Sequence, residues 1–94
     1  MNNEEKIMLV DQLVEDFGIT VKEFRVKSGL TLQDMAEIVS ISPSYVYRIE
    51  AHKRKPEIGT RIRFMTEAMG FTSEEINLYL EKYIAKEKLN RESN

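Results

Sequence analysis

Thr31–Pro56, TLQDMAEIVSISPSYVYRIEAHKRKP, is the stretch on which the reading of this chain turns. Thr31 and Asp34 stand at capping-box spacing, and Met35, Ala36, Ile38 and Val39 form an apolar stripe at helical period, so a helix is expected over 32–39. Ser42 before Pro43 is a stronger start. Serine accepts from free first-turn amides, and proline at the first helical position forfeits no bond that would have formed. A second helix is expected over 43–51, with Val46 and Ile49 facing inward. Between the two, Ser40, Ile41 and Ser42 leave room only for a sharp corner, with Ile41 pointing into the core. Lys53, Arg54 and Lys55 follow as a basic loop.

Helix punctuation continues on both sides. Ile7, Val10, Leu13, Val14 and Phe17 recur at helical spacing before Gly18, which predicts a helix over 3–17 closed by a left-handed glycine. Thr20 to Glu23 has the form of a capping box, Val21, Phe24 and Val26 supply apolar contacts, and Gly29 offers a stop, giving a helix over 21–28. Ile62, Met65, Ala68 and Met69 make one apolar face ahead of Gly70, with Arg61 and Arg63 at the start of that helix. Thr72 to Glu75 is a further capping box, opening a last helix that bears Ile76, Leu80, Tyr83 and Ile84. There is no strand alternation, internal repeat or linker, and Asn90–Asn94 reads as a frayed tail. The expected class is all-α.

At 94 residues, 41% hydrophobic and 32% charged, the chain suits one small helix-rich domain. It has no cysteine, which excludes a disulfide framework and a thiolate zinc site. No segment approaches the ~18 apolar residues that span a bilayer, so no membrane role and a cytoplasmic location are expected. Net charge is −2, unlike a typical nucleic-acid binder, but it is unevenly spread. Residues 1–16 carry one lysine against five acids, whereas residues 17–72 carry nine Lys/Arg against six acids. Screening acts over ~8–10 Å, so a local basic face can govern docking while the acidic ends keep the molecule soluble.

The helix, corner, helix and basic loop have the spacing of a helix-turn-helix, which points to double-stranded DNA. Ser44, Tyr45, Tyr47 and Arg48 lie on or beside the outward face of the second helix, the surface a major groove would meet. Arg48 suits guanine O6 and N7, Ser44 suits a base edge or phosphate, and the tyrosines suit a thymine methyl or phosphate. Half-buried packing or a protein interface fits the two tyrosines about equally well. Lys53, Arg54 and Lys55 fit backbone phosphates, where counterion release drives binding, and His52 beside them fits phosphate too. Arg61 and Arg63 are further candidate contacts. The single histidine has no second ligand or carboxylate at motif spacing, and there is no phosphate-binding glycine loop, so neither an enzyme nor a cofactor or metal is expected.

Gly29, Leu30 and Thr31, Met35 and Ala36, Ile41 and Ser42, Val46, Arg48 to Glu50, and Lys53 to Pro56 together resemble the Cro/cI-type helix-turn-helix family, the XRE-like regulators, over about residues 20–72. The resemblance implies a lambda-repressor-like five-helix DNA-binding domain. Residues 1–19 would add an N-terminal accessory helix, and residues 73–94 an extended C-terminal helix. It also implies a homodimer on a palindromic operator. Carried over by position, Thr31 to Val39 is the positioning helix, Ser42 to Ala51 the recognition helix and Lys53 to Lys55 the phosphate loop. Thr31, Gln33 and Ser42 join the phosphate contacts, and Arg25 and Glu50 form the internal ion pair. Leu32 replaces the family's usual phosphate-contacting glutamine, Ser40 a turn glycine, and Ala51 with His52 the usual Asn-Gly. Pro43 stands where a base-reading polar residue is common. Ile76, Leu80, Tyr83 and Ile84 are the expected dimer surface. The other reading kept open is a protein-interaction module on the same fold, such as the antitoxin of a toxin–antitoxin pair or an adaptor.

Overall fold

Asp16 is extended (φ −153°, ψ 95°) and divides the N-terminal part of the chain into two helices joined by this one residue. The computed structural model describes residues 1–93. Its elements are α1 (Asn3–Glu15), α2 (Phe17–Lys27), α3 (Leu32–Val39), α4 (Pro43–Glu50), α5 (Ile58–Arg63) running into a π-helical turn (Phe64–Ala68), and α6 (Ser73–Glu92). No strand occurs among the described residues, so the class is all-α as expected.

The break between α1 and α2 corrects the boundaries read from the sequence. The helix expected over 3–17 stops at Glu15, and the one expected over 21–28 already begins at Phe17. Asp16 makes this possible, because its carboxylate accepts from the Ile19 amide at 3.0 Å and caps α2. Gly18 is therefore a helical residue rather than a left-handed stop. Thr20 caps nothing: its hydroxyl donates to the carbonyls of Gln12 (3.0 Å) and Asp16 (2.6 Å), satisfying groups at the end of α1.

The core is built from every helix. Val10, Leu13, Val21, Met35, Val39, Val46, Phe64, Met65 and Tyr79 are all at 0% exposure. Burying a side chain of this size contributes about 1.5–3 kcal/mol. Ile7, Val26 and Ile38, expected to face inward, are instead exposed, and Leu9 takes the α1 core position. The π turn widens the chain after α5: the Met69 amide donates to the Phe64 carbonyl at 3.1 Å, and Phe64 and Met65 both turn inward.

α1 and α6 run parallel and are clasped along their length. Lys6 pairs with Glu75 (3.5 Å), Lys82 with Asp11, and Lys86 with Glu15 (3.6 Å). Lys86 also donates to the carbonyls of Val14 (3.2 Å) and Glu15 (3.1 Å), bringing positive charge to the C-terminus of α1, whose own last turn has no basic residue.

α6 departs from the expected dimer surface in a definite way. Ile76, Leu80 and Tyr83 pack against the core of their own chain, whereas Ile84 is 61% exposed. Tyr79, one turn on from Ile76, is the largest fully buried side chain. Burial pushes its phenol up from the ordinary value, partly offset by the hydrogen bond and charge of Arg61.

Candidate nucleic-acid interface

The corner between α3 and α4 is held by local bonds. Thr31 accepts from the Asp34 amide (3.0 Å), and Asp34 accepts from the Thr31 amide (2.9 Å), a complete capping box. Hydrogen bonding from Thr31, from its amide first and then from its side chain, holds the Asp34 carboxyl below its usual value. Ser40 ends α3 in the left-handed region (φ 62°), where glycine is the cheapest occupant. Ser42 then caps α4 by accepting from the Tyr45 amide at 3.1 Å, with Pro43 at the first turn.

α4 is fixed from behind. Val46 and Ile49 are at 0% and 1% exposure in the core. Arg25 of α2 grips Glu50 through two bonds, Nε to Oε2 at 2.8 Å and Nη2 to Oε1 at 3.0 Å, and its Nη1 donates to the Leu30 carbonyl at 2.9 Å. The hydrogen bond to Glu50 holds the guanidinium above its usual value against the opposing effect of burial. A planar fork of this kind sets orientation as well as distance.

The outward surface of α4 carries Ser44, Tyr47 and Arg48, all exposed, with Ser42 at its leading end. Tyr45 is half-buried against the core, so the two tyrosines separate into one packing residue and one surface residue. Arg48 makes no side-chain hydrogen bond or ion pair with any described residue, and its carbonyl accepts from the amides of Lys53 (2.8 Å) and Arg54 (3.2 Å). The chain thereby folds back after α4. Lys53 lies 5.7 Å from the Tyr47 ring centroid and Arg54 lies 5.6 Å from that of Tyr45.

Not every residue expected at this surface joins it freely. Lys55 leans toward α6 and pairs with Glu87 at 3.6 Å. The Gln33 amide donates to Glu37 on its own helix at 3.0 Å. His52 takes a left-handed conformation (φ 60°) and sets Nε2 2.8 Å from Asp16 Oδ1, tying the loop to the α1–α2 joint. Burial alone would raise the Asp16 carboxyl, but hydrogen bonds from His52 and the Ile19 amide, with the charges of His52 and Lys86, hold it below its usual value. Arg63 is exposed, with Nη2 3.5 Å from the Thr60 hydroxyl.

Arg61 is a clear correction. Read from the sequence as a surface contact, it is 5% exposed, donating from Nε to the Pro56 carbonyl and from Nη1 to the Tyr79 hydroxyl, each at 3.0 Å. Sequence reasoning missed this pairing, and also Asp16 as a cap, although aspartate ahead of an apolar helix is a recognised start signal. For Arg61 no comparable signal existed, since its partners lie on other elements.

No helix among the described residues is long and apolar enough to cross a membrane. Among them, no group of three or more His, Cys, Asp or Glu side chains is placed to hold a metal ion. A family model described as a helix-turn-helix domain matches residues 16–78, from the Asp16 cap into α6, and so covers the greater part of the chain. No curated protein and no solved structure matches the chain.

Proposed function

Since the chain belongs to the helix-turn-helix domain family, we propose that it is a sequence-specific DNA-binding transcriptional regulator of the Cro/cI type that lays α4 in the major groove. The observation that carries this reading is the outward face of α4. Ser44, Tyr47 and Arg48 are exposed on a helix held by the Arg25–Glu50 fork, and Lys53 and Arg54 fold back beside them. In this reading Arg48 donates to guanine O6 and N7, Ser44 bonds a base edge, and Tyr47 packs on a thymine methyl, with Tyr45 supporting from below. Lys53 and Arg54 neutralise phosphates, with Lys55 joining once it leaves Glu87. Thr31 and Ser42 donate their hydroxyl protons to phosphate, and Gln33 turns from Glu37 to do the same.

The simplest use of so small a module is repression by occlusion, from the cytoplasm and its nucleoid, as a homodimer on a palindromic operator. Two-fold symmetry would place two α4 helices ~34 Å apart in successive major grooves. The second reading, a protein-interaction module, draws on the open groove between α1 and α2, where Met1 and Met8 are 56% and 61% exposed beside Leu9 and Phe24.

Selection from a random duplex library, followed by fluorescence anisotropy on the selected site at two salt concentrations, tests the proposal. An enriched inverted repeat is expected, with binding weakened by salt and with Arg48→Ala losing about 1–3 kcal/mol of preference. A library that enriches no motif would overturn it and favour the protein-interaction reading.

A further inference from the structure

Arg61 carries a charge that the protein buries and does not balance with an acid. None of the ion pairs among the described residues includes it. Its guanidinium lies 4.8 Å from the ring centroids of both Phe17 and Tyr83. Nε and Nη1 are engaged, by the Pro56 carbonyl and the Tyr79 hydroxyl. Nη2 donates to no described group, and since no fully enclosed side-chain nitrogen or oxygen lacks a partner, Nη2 is not fully enclosed. Arg61 lines a cleft of about 340 Å³ between the α1–α2 joint, the loop after α4 and α6.

The acids lining this cleft each face a basic side chain. Asp16 faces His52 (2.8 Å), Glu15 faces Lys86 (3.6 Å) and Glu87 faces Lys55 (3.6 Å). Arg54 rests on the Tyr45 ring. Once these pairs are set aside, Arg61 and Arg54 are the cations left over, and Lys55, whose contact with Glu87 is open to solvent, is free to turn to an anion in the cleft. A desolvated guanidinium costs free energy unless an anion meets it, and its planar edge suits an oxyanion above other partners.

We propose that the cleft is a binding site for a small oxyanion of the phosphate class, held by Arg61 Nη2 at the floor and by Lys55 and Arg54 at the rim. The proposal stands whether or not α4 reads sequence. Because Arg54 and Lys55 also belong to the loop after α4, an anion here engages the same cations as a DNA phosphate. The oxyanion comes either from the DNA backbone or from a diffusible compound.

The test follows the Arg61 Nε–H resonance of the full chain during titration with inorganic phosphate at constant ionic strength, and then with a duplex of arbitrary sequence. A saturable shift is expected, about fivefold weaker or more in Lys55→Glu, and unchanged in Lys88→Glu, which alters a charge outside the cleft. If the duplex moves the same resonance, the site takes a backbone phosphate; if only free phosphate does, the ligand is diffusible. No shift at Arg61 with either probe overturns the proposal. So does a shift that rises without saturating, or one equally strong in Lys55→Glu.

Discussion

At Gly18 the chain has no room for a methyl group: a Cβ there would sit 2.3 Å from the Ile49 carbonyl oxygen. The first turn of α2 thus lies directly on the backbone at the end of α4, and the glycine serves contact between helices rather than a turn. Gly18→Ala is expected to cost about 1–3 kcal/mol by urea denaturation, whereas Gly59→Ala, with nothing within 4 Å of its Cβ, should leave stability unchanged or raise it. Equal effects would show that the two helices separate easily. Ser40 and His52 tell the complementary story. Both are left-handed, at φ 62° and 60°, in places where the resembled family has glycine, so the backbone path is kept although the usual residue is not. His52 gains a bond to Asp16 in exchange. Arg48 and Ser44 were legible as surface residues because helical period alone assigns them a face. Arg61 was not, since which face is outward depends on what packs there.

α4 spans only Pro43–Glu50, too short to persist alone, so its geometry depends on neighbours. Arg25→Ala removes the fork and leaves Glu50, at 6% exposure, without its cation. It should cost about 3 kcal/mol. Arg48→Ala should stay within about 0.5 kcal/mol in the same melts, because the side chain is exposed and makes no hydrogen bond or ion pair with a described residue. A mild Arg25→Ala would mean that α4 is positioned by apolar packing alone. The helix starts also make the fold acid-sensitive. Asp16 caps α2, Asp34 and Glu75 complete the capping boxes that open α3 and α6, and each carboxyl is held below its ordinary value of 3.8, 3.8 and 4.5 respectively. The unfolded chain therefore takes up these protons first. Their stabilisation is complete above the ordinary values and is lost as pH falls through them toward the folded ones. Thermal melts should give a flat Tm from neutral pH down to about 5 and a falling Tm below it, with the fall shallower in Asp34→Asn. A Tm that does not move across that range would remove the caps as the source.

Over the whole molecule, α1 and α6 close the core from one side. The radius of gyration, 13.0 Å, is that of one folded body of this length. With Ile76, Leu80 and Tyr83 engaged internally, a dimer through α6 has Ile84 and Leu89, at 61% and 63% exposure, as its apolar surface. Light scattering over a dilution series should then report a dimer that Ile84→Glu with Leu89→Glu dissociates, with a Tm equal to that of the wild type diluted to monomer, whereas Leu80→Glu should lower Tm below that value. An 11.0 kDa particle at every concentration would eliminate the α6 dimer.

Local signals in the chain determined most of the elements. The Thr31–Asp34 and Thr72–Glu75 boxes, Ser42 with Pro43, and the glycines after α2 and the π turn act within a few residues of themselves, so α3, α4 and α6 begin where the sequence indicates. Tertiary structure decided what depends on distant partners. The α1–α2 break is not among these, since the Asp16 cap acts within three residues, but packing turned Ile7 and Ile38 outward. It also buried Arg61 beneath Phe17, Tyr79 and Tyr83, and supplied α1 with a C-terminal cation from Lys86 on α6. Capping and periodicity are short-range and survive in any context, whereas burial of a charge or the choice between two half-apolar faces is settled only when the helices pack.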